Sequence, residues 1–214
     1  MKKNKVFFDM VISLDGFIAP EKFEMALAGD PEFKNSMKKW MDLMHWVFQQ
    51  KFFLKNLKFG EGGETGEDNT LLEETFTRTG ASIMGKNMFN AGENSWPDDA
   101  PFHTPVFVLT DEVREPWVRP GGTTFYFVND GIESALAQAK KVVGSKDIRI
   151  SGGANTVMQY LNAGLIEEFT LHYAPVVFGN GVRLFENMNP DRAVKIKKVI
   201  PSQGITHIMY EVEQ

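Results

Sequence analysis

Two short glycine-centred stretches carry the residues best suited to chemistry: Gly80-Ala-Ser-Ile-Met-Gly85-Lys86-Asn87 and Ser151-Gly152-Gly153-Ala154-Asn155-Thr156. Each places bare backbone after an apolar run and before a segment of helical pattern. Glycine removes the Cβ that would keep a phosphate at a distance. The first amides of a helix have no intrahelical acceptor, so such a turn can hold a pyrophosphate without charged side chains. Lys86 adds a cation beside one of the turns. The Gly152-Gly153 pair could equally serve as a tight turn and nothing more. The first stretch also falls one residue short of a Walker A signature. However, Ala-Ser-Ile-Met is strand-like rather than phosphate-wrapping, and Asn87 has no hydroxyl to offer magnesium. No G-x-G-x-x-G follows the first strand, which argues against a Rossmann fingerprint.

Acid–base candidates are few. Asp15, in Ser13-Leu14-Asp15-Gly16, could polarise or protonate a substrate ring, or could simply form the turn before glycine. His103, after Asp98-Asp99-Ala-Pro-Phe, could reach a pocket from a loop or stand in solvent. His45, His172 and His207 lack any H-E-x-x-H spacing. The acidic residues of Gly60-Glu-Gly-Gly-Glu-Thr-Gly-Glu-Asp68 lack the alternating oxygen ligands of an EF-hand loop, so no metal is expected. Trp46 reads first as a packing residue and second as a substrate contact. Glu64 and Thr65 sit in a glycine-rich loop of the kind that forms a lid or pocket rim. There is no cysteine, which excludes thiolate chemistry.

These residues need a scaffold. Strand-like runs lie at Val6 to Ile12, Ala81 to Met84, Val106 to Leu109, Thr123 to Val128, Ile148 to Ile150 and Phe169 to Val177. Helical patterns fall at Gly131 to Val143, with Asp130 as N-cap, and at Ala154 to Ala163, closed by Gly164. The alternation predicts an α/β fold with a mostly parallel mixed sheet flanked by helices. Val194 to Ile200 and Ile205 to Val212 predict a C-terminal antiparallel hairpin. Residues 21 to 77, an aromatic-rich helical stretch followed by a glycine-rich acidic loop, are expected as an insertion or lid on a single domain spanning 1 to 214. With 214 residues, a formal charge of -5 and a pI near 5.5, the chain offers no overall basic face for nucleic acid. Asp9 interrupts the N-terminal apolar run and no small-residue cleavage site follows, so a cytoplasmic protein without a signal peptide is expected.

Taken in order, Ser13-Leu-Asp-Gly-Phe-Ile-Ala19, Met84-Gly-Lys86, Pro105-Val-Phe-Val-Leu-Thr-Asp111, Ser151-Gly-Gly-Ala154 and Ala174-Pro-Val-Val-Phe-Gly-Asn-Gly-Val-Arg-Leu-Phe185 resemble the dihydrofolate reductase superfamily. The resemblance is closer still to the RibD C-terminal family and covers nearly the whole chain. It implies an NADPH-dependent reductase with an eight-stranded mixed sheet, a homodimer, and a pteridine-like or aminopyrimidine substrate. It further implies that Lys86 faces the adenosine 2′-phosphate, that Gly152 and Gly153 form a pyrophosphate turn whose peptide can be cis, and that Val11 and Ile18 flank the nicotinamide. Gly85, Asn87, Leu109, Ala154, Asn155 and Thr156 complete the expected cofactor contacts, and Thr110 and Asp111 end the third strand where the family often places a cofactor-contacting polar residue. Met88 stands where dihydrofolate reductases carry a phosphate-contacting threonine. Ser151 stands where the riboflavin enzymes tend to carry an acidic residue.

Overall fold

The run Val-Phe-Phe-Asp-Met-Val-Ile-Ser forms β1 (Val6–Ser13), which is almost wholly buried, as expected for a strand covered on both faces of a parallel sheet. The computed structural model describes residues 4–23, 30–189 and 193–213. After β2 (Phe17–Ala19) come three helices, α1 (Pro31–Phe48), α2 (Lys51–Asn56) and α3 (Glu67–Arg78). Then follow β3 (Thr79–Gly85), α4 (Lys86–Glu93), β4 (Pro105–Leu109), β5 (Trp117–Val118), β6 (Thr124–Val128), α5 (Ile132–Val142), β7 (Asp147–Gly152) and α6 (Ala154–Asn162). The chain closes with β8 (Glu168–Ala174), β9 (Val182–Arg183), β10 (Val194–Ser202) and β11 (Ile205–Val212).

The main sheet has nine strands in the order β10-β11-β8-β1-β7-β3-β4-β6-β5. The six from β8 to β6 run parallel, and β10, β11 and β5 pair antiparallel. The family resemblance implies eight strands; the ninth is β5, two residues pairing with Phe125 and Thr124 at the sheet edge. A two-residue strand carries no periodicity to read. β9 is equally short and pairs with β2 in a separate ribbon.

Helices α5 and α6 cover one face, burying Ala135, Leu136, Ala139, Val157, Tyr160 and Leu161 against Phe8, Ile83, Ile148 and Ile150. Burying each larger side chain contributes about 1.5–3 kcal/mol. Asp130 does not cap α5: the N-cap is Gly131 at φ 102, without a side-chain hydrogen bond. The last strand of the expected set stops at Ala174, where Pro175 has no N–H to continue the ladder.

The helices of the segment expected as an insertion or lid form a layer over the opposite face; its residues 24–29 lie outside the described part. Leu43, Trp46 and Val47 of α1 and Leu72 of α3 pack with Phe17, Ala174, Phe178 and Ile205 in one buried cluster. The acidic loop is fastened to that layer: Glu64 N–H donates to the Gln49 carbonyl at 2.8 Å, and Lys51 N–H donates to the Glu64 carbonyl at 2.9 Å. Gly63 permits this at φ 105, since a Cβ there would lie 2.8 Å from the Gln49 oxygen.

Candidate functional site

Three neighbouring strands, β7, β3 and β4, end together at the carboxyl edge of the sheet. Met84 is in register with Gly152, and Gly85 with Leu109. Two helices start there, α4 after Gly85 and α6 after Gly153, and each has glycine as its N-cap with no side-chain hydrogen bond. The first-turn amides of both helices therefore lack the side-chain acceptor that a Ser, Thr, Asp or Asn cap would supply. The Gly152-Gly153 peptide is cis and Gly152 has φ 126. A Cβ on Gly153 would meet nothing within 4 Å, so open space lies before that turn. At Gly85 the reverse holds: a Cβ would stand 2.5 Å from the Thr156 Oγ1. Glycine is needed there for α6 to pack against the β3–α4 turn, and Thr156 is buried in that contact. Ala154 is half-buried at the mouth of the turn, and Asn155 is exposed, its Oδ1 accepting from Gln159 at 2.5 Å.

Beside these turns the sheet parts. β1 and β7 pair only from Val6 to Phe8 against Ile148 to Ile150, whereas β1 continues along β8 as far as Ser13. The gap so formed has Asp9 to Ser13 on one side and Ser151 to Gly153 on the other. Where it begins, Arg149 donates to Asp9 through Nε at 2.6 Å and Nη2 at 2.8 Å. Met10 and Met88 approach Gly152, their sulfur atoms 3.8 and 3.3 Å from where its Cβ would be. The Ser151 hydroxyl is buried without a hydrogen-bond partner. Val11 packs half-buried against the α1 cluster, and Ile18 against the cluster on the other face.

At the β4 end of the same edge, Lys86 Nζ sits 2.8 Å from Asp111 Oδ1 and 2.8 Å from Glu112 Oε1. Hydrogen bonds that the ammonium donates to these two carboxylates, Asp111 first, raise the lysine pKa. Leu109 and Thr110 are half-buried just before them, Thr110 Oγ1 accepting from Glu112 N–H at 3.1 Å. Asn87 is exposed.

Other expected residues go elsewhere. Asp15 is a staple between loops: its carboxylate accepts from Gly179 N–H at 2.7 Å, from Phe178 N–H at 3.1 Å and from the Ser13 hydroxyl at 2.6 Å. Burial works to raise its pKa, but those donors outweigh it and hold the carboxyl at about 2. These contacts tie the Ser13–Phe17 turn to the Phe178–Gly179 loop. His103 precedes β4 at the amino edge, where its N–H donates to Thr123 Oγ1. Its ring nitrogens lie 2.9 Å from the Gly121 carbonyl and 3.0 Å from Asn56 Oδ1, so it does not join the carboxyl-edge turns. Glu64 and Thr65 are exposed. Trp46 is buried, its ring 5.0 Å from both His172 and His207.

Those two histidines belong to a buried polar chain that sequence spacing did not reveal. The Ser202 hydroxyl donates to Asp68 Oδ2 at 2.7 Å, and Asp68 Oδ1 lies 3.0 Å from His207 Nε2. His207 Nδ1 is 2.6 Å from His172 Nδ1, and His172 Nε2 is 3.9 Å from Asp9 Oδ2. Both contacts of His207 are satisfied when its Nε2–H donates to Asp68 and its bare Nδ1 accepts from the Nδ1–H of His172. Burial first, then the nearness of His172, push the His207 pKa down to about 4 against the pull of Asp68. Burial alone would raise Asp9, but Arg149 and His172 hold it well below the usual carboxylate range. The available signal was an ionisable residue inside each of three strand-like runs, Asp9, His172 and His207. Among the described residues no cluster of His, Asp and Glu could hold a metal ion.

Comparison with known proteins agrees with this architecture. The RibD C-terminal domain model matches residues 4–206. Two Bacillus subtilis (strain 168) proteins, YyaP and YwjB, both uncharacterized, are 37% identical over 87 residues and 32% identical over 100 residues. The matches cover 39% and 44% of this chain, and 45% and 56% of those relatives. A Shewanella sp. PV-4 protein named for riboflavin biosynthesis superposes over 98% of this chain and 99% of its own, with a TM-score of 0.66 at 19% identity. Dihydrofolate reductase from Enterococcus faecalis, in a complex with NADP(H), covers 98% and 97% with a TM-score of 0.57 at 12% identity. The Thermotoga maritima deaminase/5-amino-6-(5-phosphoribosylamino)uracil reductase covers 98% of this chain but 56% of its own, with a TM-score of 0.60 at 13% identity. A dihydrofolate-reductase-like sheet thus carries a family match across nearly the full length, and the chain belongs to the RibD C-terminal domain family.

Proposed function

We propose that this protein is a reductase that moves a hydride from a reduced nicotinamide dinucleotide, NADPH being the form the family resemblance implies, to a pteridine-like or aminopyrimidine small molecule. The observation that supports this best is the pair of glycine-started helices, at Gly85 and Gly153, standing side by side next to the gap between β1 and β7. Ligands of open α/β sheets bind outside the carboxyl ends of the strands, and helix starts favour phosphate. A dinucleotide laid across this edge places its pyrophosphate against the two turns and its nicotinamide at the gap, with the adenosine towards β4. When bound, the cofactor supplies the hydride. The chain's own part is to hold and orient it: amides of Gly153, Ala154, Lys86 and Asn87 face the phosphates, while Val11, Ile18, Met10 and Met88 keep water from the ring. The Ser151 hydroxyl, one residue before the glycine turn, is buried and has no hydrogen-bond partner.

A second reading, a nucleotide-, flavin- or folate-binding protein without turnover, is favoured by the commitment of Asp15 to backbone amides. Mixing the protein with NADPH and a panel of pteridine, dihydrofolate and pyrimidinone compounds separates the two. Loss of the NADPH absorbance band with one of them supports the reductase. Quenched tryptophan fluorescence with no oxidation supports binding alone, and neither signal contradicts both. The assembly proposed with this reading is a cytoplasmic homodimer, with no nucleic-acid or membrane partner. No helix of the described residues is long and apolar enough to cross a membrane. Edge strand β10 leaves Val194, Ile196 and Val199 exposed, and their register opposite Val212, Tyr210 and Ile208 puts all three on one face.

A further inference from the structure

We propose that Asp111 and Glu112 cancel the preference for a 2′-phosphorylated dinucleotide, so that this protein binds NADH at least as well as NADPH. The inference rests on the dinucleotide reading above and concerns the adenosine end of the same site. The order of strand ends along the edge is the β1–β7 gap, then Gly153 at β7, then Gly85 at β3, then Leu109 to Glu112 after β4. Strands stand about 4.8 Å apart. With the nicotinamide at the gap and the pyrophosphate at the two glycine turns, the adenosine ribose falls one strand further on, where Lys86 meets Asp111 and Glu112.

A lone lysine there would attract a 2′-phosphate, which carries close to two negative charges. This lysine is not alone. Both carboxylates lie 2.8 Å from its Nζ, and one cation between two anions leaves the spot net negative. The neighbouring cation offers no relief, because Arg114 is paired with Glu93 at 2.8 Å and lies over the Phe127 ring. A 2′-phosphate must therefore displace both carboxylates from Lys86 and then remain beside them, with like-charge repulsion that extends over about 10 Å at ordinary salt. The 2′-hydroxyl of NADH faces no such cost. It can donate a hydrogen bond to the Asp111 carboxylate, the arrangement by which acidic residues select the unphosphorylated cofactor in other dinucleotide sites.

The test measures dissociation constants of NADH and NADPH by tryptophan fluorescence, for the wild type and for the double variant Asp111→Asn, Glu112→Gln, at low and high salt. Asp111 and Glu112 are exposed, at 85% and 49% of their side chains, so the variant keeps its fold, and a circular dichroism melt checks this. The expected result is a wild type that binds NADH as tightly as NADPH or tighter. The variant's affinity ratio should shift towards NADPH by about tenfold at low salt and by less as salt rises. A wild type that prefers NADPH by more than about tenfold, or a ratio that the double variant leaves unchanged, overturns the inference while leaving the dinucleotide site intact. Binding of neither nucleotide overturns the dinucleotide reading itself, and the inference with it.

Discussion

Two glycines at the proposed site are required for opposite reasons, and the difference can be measured. Gly85 is bare because Thr156 crowds it, with Oγ1 2.5 Å from the absent Cβ. Thr156 is β-branched and buried, and it has no free end that could swing aside. Gly85→Ala should destabilise the protein by about 1–3 kcal/mol, the usual cost of overpacking. Adding Thr156→Ala should recover part of the loss in a double-mutant cycle, whereas additive effects would show that the two do not press on each other. Gly153 has open space before it. There a methyl group would occupy the room assigned to the pyrophosphate, so Gly153→Ala should weaken dinucleotide binding about tenfold or more in a protein that still folds. Unchanged binding would remove Gly153 from the site. Both turns could be read from sequence because glycine is the one residue type that advertises bare backbone. The partners of Lys86 could not, because Asp111 and Glu112 lie 25 and 26 positions away and only the β3–β4 register brings them to it.

At the scale of elements, the long strands were legible because β-branched and aromatic runs bounded by turn residues have few other uses, and β1, β3, β4, β6 and β7 fall where those runs lie. The helical character of the aromatic-rich segment that forms α1 and α2 was legible too, but the sheet face it covers was not. The segment's apolar residues had no visible counterpart, and the face they cover includes the polar chain from Asp9 to Asp68. Those polar residues come together through separations of 35 and 139 positions, which no local pattern encodes. The chain also has a consequence for acid stability. His207, at about 4 in the fold against 6.5 ordinarily, is neutral in both states above pH 6.5. As pH falls below that, the unfolded chain takes up the proton first, so stability drops by about 2–3 kcal/mol between pH 6.5 and 4.5. Glu168 acts in a lower window. Burial raises its pKa, but Lys5 and Arg78 prevail and hold it at about 2, so its contribution is present above pH 4.5 and is lost as pH falls towards 2. Urea denaturation at pH 7 and pH 4.5 checks the upper window. A flat profile there would mean that His207 protonates as readily in the fold as out of it.

For the whole molecule, an exposed edge strand needs an explanation, because unpaired backbone with apolar side chains invites association. Ile196 is 63% exposed and Val199 49% exposed on β10. If this edge joins two copies, light scattering should report a dimer, and Ile196→Glu with Val199→Lys should convert it to a folded monomer; a monomeric wild type would contradict the assembly.

The central claim, that a nicotinamide dinucleotide lies across the carboxyl edge from the β1–β7 gap to the end of β4, is tested most directly by a crystal structure of the protein grown with NADH or NADPH. The account predicts pyrophosphate oxygens within about 3 Å of the amides that follow Gly85 and Gly153, the nicotinamide beside Met10 and Val11, and the adenosine ribose at Asp111. A dinucleotide bound at another face, or a site that stays empty at saturating cofactor, would contradict it.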